Sequence, residues 1–218
     1  MTEAGGVAPG YGPRHWLLAT LLALLAGYVD AIGYLTAGGY FVSFMSGNST
    51  RMAVAAAGIE ASPWPPAALI AAFLAGVVAA TLLASHAGRN RKAAVLILVS
   101  LLLAAAAALR GEGPALFVAL CLAAAMGAEN GVFQQQGEVS IGVTYMTGAL
   151  VRLGQRIAAA LTGGPRWAWI PLLLLWCGLV AGAVLGAGLY SQGWSLWAAA
   201  GAAALLALAA RRIVPLPV

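Results

Sequence analysis

Six apolar stretches, each long enough to cross a lipid bilayer, constrain what this sequence can fold into. A helix needs about 20 residues to span the hydrocarbon core, and stretches of that length lie at roughly 15–36, 65–87, 93–110, 114–135, 167–190 and 194–212. Only 8% of the 218 residues are charged, against about 25% in soluble domains. The sequence therefore predicts an all-α integral membrane protein and excludes both a soluble domain and a disordered chain.

Two further apolar stretches, 40–58 and 141–162, are interrupted by small and polar residues. Each begins with a run that favours an extended backbone and continues through Met, a hydroxyl residue and Gly into about three turns of helix formers. The motif MSGNSTR, which starts at residue 45, matches MTGALVR, which starts at residue 146, at an offset of 101. The match indicates an internal repeat.

A second match extends the repeat to the whole chain. The sequence GYVD at 27–30 corresponds to GAEN at 127–130, at an offset of 100, and Gly76 corresponds to Gly178 in the spans that follow. Each half then has the order long span, interrupted segment, span, span. The predicted division is a polar tail, two repeats and a second tail, at 1–13, 14–112, 113–213 and 214–218.

The basic residues indicate whether the interrupted segments cross the membrane. If they do not cross and the N-terminus is cytoplasmic, eight basic residues lie inside: Arg14, Arg89, Arg91, Lys92, Arg156, Arg166, Arg211 and Arg212. Arg110 then lies outside, whereas eight crossings would place the basic group at 89–92 outside and largely remove the bias. The positive-inside rule favours six transmembrane helices in the bacterial inner membrane, with both termini cytoplasmic. Three crossings per half make the halves two inverted repeats.

Each interrupted segment is then predicted to be a re-entrant half-helix that enters and leaves on one side. Non-helical backbone at that depth is tolerated only against protein or a water-filled cavity. We expect Gly47 and Gly148 to permit close approach of the backbone, and Ser46 and Thr147 to act as N-caps. The two N-termini would come from opposite faces and meet near the midplane, with free N–H groups and positive dipole ends at one shared site.

Ionisable residues inside the spans point to the same site. Asp30 lies in the first span, and Glu129 and Asn130 lie at the matching depth of the fourth. A carboxylate near a helix centre costs about 2.5–3.5 kcal/mol, so these groups are expected to face a cavity or a partner. Two interpretations stay open: a proton, cation or solute site, or a structural ion pair or hydrogen bond in which Arg51 or Arg152 neutralises the carboxylates. Those arginines would otherwise attract anions or extend to the headgroups.

The predicted solute site combines the polar residues and motif glycines of both halves. It comprises Asp30, Ser46, Gly47, Asn48, Arg51, Glu129, Asn130, Thr147, Gly148 and Arg152. These features favour a transporter or channel for a small polar or anionic solute. The alternative is a membrane protein that does not transport, such as a sensor or an assembly protein.

Other functions find no support in the residue pattern. The sequence has no Ser/His/Asp constellation and no His/Cys/carboxylate cluster with metal-ligand spacing, so neither an enzyme nor a metal or other cofactor is expected. The net charge of +5 belongs to cytoplasmic loops and predicts no nucleic-acid partner. The expected partners are a small-molecule solute and the lipid bilayer. Gly178, Gly182 and Gly186 form a face for close helix packing, either within the monomer or in a homodimer.

Four short motifs also resemble a known family. The segments 26–33 (AGYVDAIG) and 44–50 (FMSGNST) resemble the first half of the YoaK-like family, and 126–130 (MGAEN) and 144–148 (TYMTG) resemble its second half. This is a bacterial family of multi-pass membrane proteins classed as a domain of unknown function. The resemblance covers about residues 15–212 and implies a bacterial inner-membrane protein; it implies no particular substrate.

Overall fold

The computed structural model describes residues 12–59, 62–135, 138–139, 142 and 144–212. Over these residues the chain is almost entirely helical. The α-helices are α1 (Pro13–Thr36), α2 (Met45–Ala56), α3 (Trp64–His86), α4 (Arg91–Leu109), α5 (Ala115–Glu129), α6 (Met146–Leu161), α7 (Ile170–Gly188) and α8 (Ser195–Ala210). Short 3₁₀ turns, Gly88–Asn90 and Asn130–Phe133, precede α4 and follow α5. Two-residue strands, β1 (Gln134–Gln135) and β2 (Glu138–Val139), pair antiparallel.

Five of these segments are long and apolar enough to cross a membrane. They are Pro13–Thr36, Trp64–His86, Gly88–Leu109, Ala115–Phe133 and Ile170–Gly188. The stretch predicted as a sixth span at 194–212 is helical over only 16 residues as α8, which is shorter than the usual spanning length. The fifth of the predicted spans is also shorter than expected, because α7 begins three residues after 167. The predicted multi-pass helical membrane protein is confirmed at this level.

Burial divides the helices into a central pair and a periphery. In the most apolar 18 residues of each span, 61% are buried in α1 and 67% in Ala115–Phe133, which contains α5. The corresponding share is 22% in both α3 and α7. Leu74, Val78 and Leu82 of α3 and Val184 of α7 are exposed large apolar side chains. Such exposed apolar side chains are typical of membrane-spanning helices, and the burial places α1 and α5 at the centre of the protein and α3 and α7 at its periphery.

The GxxxGxxxG face of α7 packs against α1. Gly178, Gly182 and Gly186 are buried, and a Cβ atom at each would collide with or press on the backbone carbonyl groups of residues 20, 24 and 28 in turn. The residue numbers increase in the same direction along both helices, so α1 and α7 run parallel. These glycines were expected to serve close packing either within the monomer or in a homodimer, and the structure shows them packed within the chain.

The same contact recurs between α3 and α5. Gly76 lies against the backbone of Ala124, as Gly182 lies against that of Leu24. Gly127 likewise lies on the carbonyl group of residue 73, as Gly27 lies on that of residue 179. The counterpart of Gly76 is therefore Gly182, at an offset of 106, and the expected match to Gly178 is wrong. The second half has gained residues before α7, since α6 has 16 residues and α2 has 12.

The helices α4 and α8, in contrast, run antiparallel. Arg110, at the end of α4, donates one hydrogen bond to the Ser195 hydroxyl at 2.6 Å and another to the Tyr190 carbonyl group, both near the start of α8. Ser100 in the middle of α4 donates to the carbonyl oxygen of Ala200 at 2.8 Å. The end of one helix thus lies beside the beginning of the other. The guanidinium also lies 4.8 Å from the centre of the Tyr190 ring.

Candidate functional site

The first turns of α2 and α6 line one cavity of about 330 Å³. Its lining residues come from the starts of both helices and from α3: Ser43, Phe44, Met45, Ser46, Phe73, Thr144, Tyr145, Met146, Thr147 and Gly148. Phe73 lies near the middle of α3. Of the residues predicted for the solute site, Ser46, Thr147 and Gly148 are therefore brought together at this cavity.

The two helices begin earlier than the sequence suggests. They start at Met45 and Met146, and each N-cap is the aromatic residue before the Met. The N–H group of each Met donates to the carbonyl oxygen two residues earlier, at 3.2 and 2.9 Å, and this tight turn sets the start. Ser46 and Thr147 are thus the second residues of their helices, and the expectation that they are N-caps is wrong. Neither N-cap side chain caps its helix.

The motif glycines differ in their surroundings. A Cβ atom on Gly47 would lie 2.5 Å from the ring of Phe44 and 3.1 Å from that of Phe41, so this position allows no side chain without movement. At Gly148 no described atom lies within 4 Å of an added Cβ. The expected close approach of the two half-helices is therefore found at neither glycine, because Gly47 is crowded by rings of its own segment and Gly148 meets open space.

Asp30 and Asn130 hold the loops that lead into the two short helices. Asp30 accepts hydrogen bonds from the backbone N–H groups of Val42 and Ser43, at 3.1 and 3.0 Å. Asn130, its counterpart at an offset of 100, accepts a hydrogen bond from the Thr144 hydroxyl at 3.0 Å. Both side chains therefore position the residues that line the cavity.

Asp30 also borders a second cavity, between α1 and α7. This space of about 350 Å³ is lined by Gly27, Asp30, Ala31, Tyr34, Leu35, Phe41, Leu179, Ala183 and Ala187. Small residues on both helices create the room. Asp30 is the acidic residue in this lining, so it combines a loop-holding role with access to a cavity.

Asn48 is a positioning residue of the first half. It is fully buried, accepts a hydrogen bond from the N–H group of Phe41 at 3.0 Å and donates one to its carbonyl oxygen at 2.7 Å. The equivalent residue in α6 is Ala149, which offers no polar side chain. Asn48 therefore fixes the loop before α2 and is not among the residues lining the cavity.

Glu129 is fully buried, and neither carboxylate oxygen has a hydrogen-bond partner among the described residues. Its equivalent in α1 is Val29, which is also fully buried. The structural alternative for Glu129, an ion pair with Arg51 or Arg152, is therefore not found. Immediately after Glu129 the α-helix gives way to the 3₁₀ turn Asn130–Phe133.

The two motif arginines have different environments. Arg51 donates to the carbonyl oxygen of Gly39, and its guanidinium lies 4.6 Å from the centre of the Tyr40 ring. Arg152 is exposed and donates to Gly148 one turn earlier in the same helix, at 3.4 Å. Arg51 thus ties the loop before α2 to that helix, whereas the bond from Arg152 stays within α6.

Comparison with known proteins identifies the family. The family described as "Protein of unknown function (DUF1275)" matches residues 18–210. The chain belongs to the DUF1275 family. A UPF0700 transmembrane protein of Rhizobium meliloti (strain 1021) is 38% identical over 199 residues, which cover 90% of this chain and 86% of that protein. No solved structure matches. The resemblance to a family of multi-pass membrane proteins of unknown function is thereby confirmed.

Three residues that line the cavity could have been predicted only in part from the sequence. Phe44 and Tyr145 precede the paired Met residues at the repeat offset of 101, and both line the cavity together with Phe73. The recurrence of an aromatic residue before each Met was a signal that pointed to the N-caps. Phe73 carried no such signal, because its place depends on how α3 packs against α5.

The described residues of this DUF1275 protein contain no group of three or more His, Cys, Asp or Glu side chains placed to hold a metal ion. The groups available at the cavity are those of the polypeptide backbone. The first turn of a helix has N–H groups without partners in the helix, and residues of both first turns line the same space. Hydroxyl groups of Ser46 and Thr147 lie beside them. The arrangement can bind a small group rich in oxygen atoms.

Proposed function

We propose that this protein is a transporter or channel for a small polar or anionic solute, which binds between the N-termini of α2 and α6. The observation that carries the proposal is the single cavity of about 330 Å³ lined by the first turns of both helices. Ligand pockets in proteins generally range from about 300 to 1,000 Å³, so a solute of few atoms fits this space.

Electrostatics favours an anion or a polar oxygen at this position. A helix N-terminus carries roughly half a positive elementary charge, and aligned N–H groups there bind anions. No acidic residue occupies the first turn of α2 or α6, so no side chain of those turns neutralises the positive ends. Two such ends at one cavity both attract a negative group.

The helix directions support six crossings. If α1, α3, α4, α5, α7 and α8 each cross the membrane, successive crossings alternate in direction. Antiparallel α4 and α8 then argue against a crossing by α6, because an extra crossing between them would make them parallel. Parallel α1 and α7 argue against a crossing by α2 in the same way. Under this topology α2 and α6, of 12 and 16 residues, are re-entrant and the halves are inverted repeats.

The ends of the helical region support the same topology. Arg14 at the start of α1 and Arg212 just after α8 line one groove, so both ends lie on the same side, as an even number of crossings requires. The positive-inside rule assigns that side to the cytoplasm of a bacterial inner membrane. Arg110, assigned to the opposite side, is bonded to Ser195 and Tyr190, and its presence there serves helix packing.

The proposal is tested by anion flux into proteoliposomes, with chloride, sulfate, phosphate and short carboxylates as the probes. Gly148→Asp places a carboxylate in the first turn of α6, where an added side chain meets open space. We expect flux of the transported anion to fall more than tenfold, which corresponds to more than about 1.4 kcal/mol. The control is Gly148→Asn, which has nearly the same shape without the charge and should retain flux.

Equal flux through both variants would overturn the assignment of the cavity as the anion site. Saturable binding of a probe anion without flux would overturn transport and favour a sensor. Both variants must first show the thermal stability of the wild type, since only then does the comparison report the charge.

A further inference from the structure

We propose that Glu129 is a proton-binding site, and that the first half of the molecule has no equivalent. The carboxyl group takes up a proton from water when the junction between α5 and the 3₁₀ turn opens. It keeps the proton as a neutral acid while it is buried and returns it to water when the junction opens again. The inference deepens the proposed function by naming a coupling ion, and it rests on that function only for its role in transport.

Burial without partners is the first observation. Glu129 has no exposed surface, and both of its oxygens are without hydrogen bonds from the described residues. A charged carboxylate in that position would pay a large desolvation penalty with nothing to offset it. A proton removes the charge without any other change in the surroundings.

The comparison with the first half is the second observation. Val29 occupies the equivalent position in α1 and is just as buried. The fold therefore accepts a purely apolar side chain at this point of the repeat, so packing does not account for a carboxyl group there. Ionisable groups within membrane segments generally mark ion or proton pathways.

No charged group of the neighbouring helices is hydrogen-bonded to Glu129. The helices α1, α3 and α4 pack against α5. Their charged or titratable residues are Arg14, His15, Tyr28, Asp30 and Tyr34 on α1, His86 on α3, and Arg91 and Lys92 on α4. Lys92 lies 5.5 Å from the centre of the Phe133 ring, four residues beyond Glu129. Asp30 accepts hydrogen bonds from the backbone N–H groups of residues 42 and 43. Neither oxygen of Glu129 is hydrogen-bonded to any of the charged or titratable residues of these three helices.

A short chain of contacts joins Glu129 to the solute cavity. Thr144 lines the cavity and donates its hydroxyl hydrogen to Asn130, the residue next to Glu129. The α-helix ends at the same place and a 3₁₀ turn follows, so the backbone hydrogen-bond pattern changes next to the carboxyl group. In the first half, α1 continues unbroken from Val29 to Thr36. Only the second of these two junctions combines a buried carboxyl group with a break in the helix.

Infrared spectroscopy of the purified protein tests the proposal without any transported solute. The sequence has six acidic residues, and a maltoside detergent adds no carbonyl group, so the C=O stretching band of a protonated carboxyl group can be followed against a low background. We expect this band in the wild type at neutral pH, with its loss in Glu129→Gln. The control is Asp30→Asn, which removes the other carboxyl group of the spans and should keep the band.

The absence of the band in the wild type, or its survival in Glu129→Gln, would overturn the proposal. Should Glu129→Gln fail to fold, Glu129→Val takes its place, because it copies the Val29 of the first half. Failure here leaves the flux result at Gly148 unaffected, whereas failure of the flux experiment leaves the infrared band in place. The two conclusions therefore stand or fall separately.

Discussion

The two halves share a framework of helix packing but differ in the described side chains that bond to the loop before each short helix. In the first half, Asp30, Asn48 and Arg51 all bond to the loop that leads into α2. In the second half the described bond of this kind joins Asn130 to Thr144. The helix packing of the first half thus recurs in the second, whereas the anchor at Asn48 has no polar counterpart, because Ala149 stands there.

The difference teaches which features the fold itself requires. Glycines at the helix crossings recur in both halves because the backbones there approach too closely for any side chain. The Asn48 anchor does not recur, since Ala149 stands in its place. We infer that close crossings define the framework, and that loop anchors set how readily each wall of the cavity can move.

The largest effect is expected from the orientation of the halves. In an inverted repeat the loop between α3 and α4 and its counterpart between α7 and α8 lie on opposite sides of the membrane. We expect Asn90→Cys to resist an impermeant thiol reagent in intact cells, and Gln192→Cys to react fully. The background should lack both native thiols, Cys121 and Cys177. Labelling of both positions from one side would replace the inverted repeat by a direct one.

The next effect concerns the close helix–helix contacts that recur in both halves. Gly76→Ala and Gly182→Ala each force a Cβ atom into the backbone of a facing helix, at Ala124 and Leu24. Overpacking of this kind costs about 1–3 kcal/mol or more, so thermal denaturation should show similar, large losses of stability for both variants. Gly201→Ala in α8, which meets open space, is the control and should be neutral. A large loss of stability in only one of the two variants would contradict the equivalence of Gly76 and Gly182.

A smaller effect is expected where the halves differ. Asn48→Ala copies Ala149 and removes both hydrogen bonds to Phe41. A buried polar group left without a partner costs about 1–3 kcal/mol, so the variant should lose stability in that range. Ser49→Ala, which changes an exposed neighbour, should be close to the wild type. If Asn48→Ala melted like the wild type, Asn48 would not be an anchor of the loop before α2.

Much of this fold could be predicted from hydrophobic length and the repeated motifs. The stretch predicted at 15–36 is α1, and the interrupted segments contain α2 and α6. Positions that depend on packing could not be predicted in the same way. The match of Gly76 to Gly182 depends on residues gained before α7, and Gly148 has open space because no facing side chain comes near it.

The candidate site followed the same division. Two helix N-termini at one cavity were expected from the motif, because Met, a hydroxyl residue and Gly recur at an offset of 101. The roles of the polar residues could not be predicted, because a sequence does not show whether Asp30 bonds to a loop or faces a solute. That no described residue is hydrogen-bonded to the Glu129 carboxyl group is likewise a property of the packed helices.

The finest test compares the two motif glycines at the cavity. An Ala at position 148 meets open space and replaces the weaker helix former, so Gly148→Ala should stabilise the protein by up to about 1 kcal/mol. An Ala at position 47 presses on the ring of Phe44, which lines the cavity, so the gain in helix propensity is offset and the ring is displaced. We therefore expect Gly47→Ala to be less stable than Gly148→Ala by about 1–2 kcal/mol in thermal denaturation. Anion flux should fall in Gly47→Ala alone, because only there does the substitution move a residue of the cavity wall. Equal stability and equal flux in the two variants would mean that the ring of Phe44 moves aside without altering the cavity, and that the two ends of the site are equivalent in spite of their different surroundings.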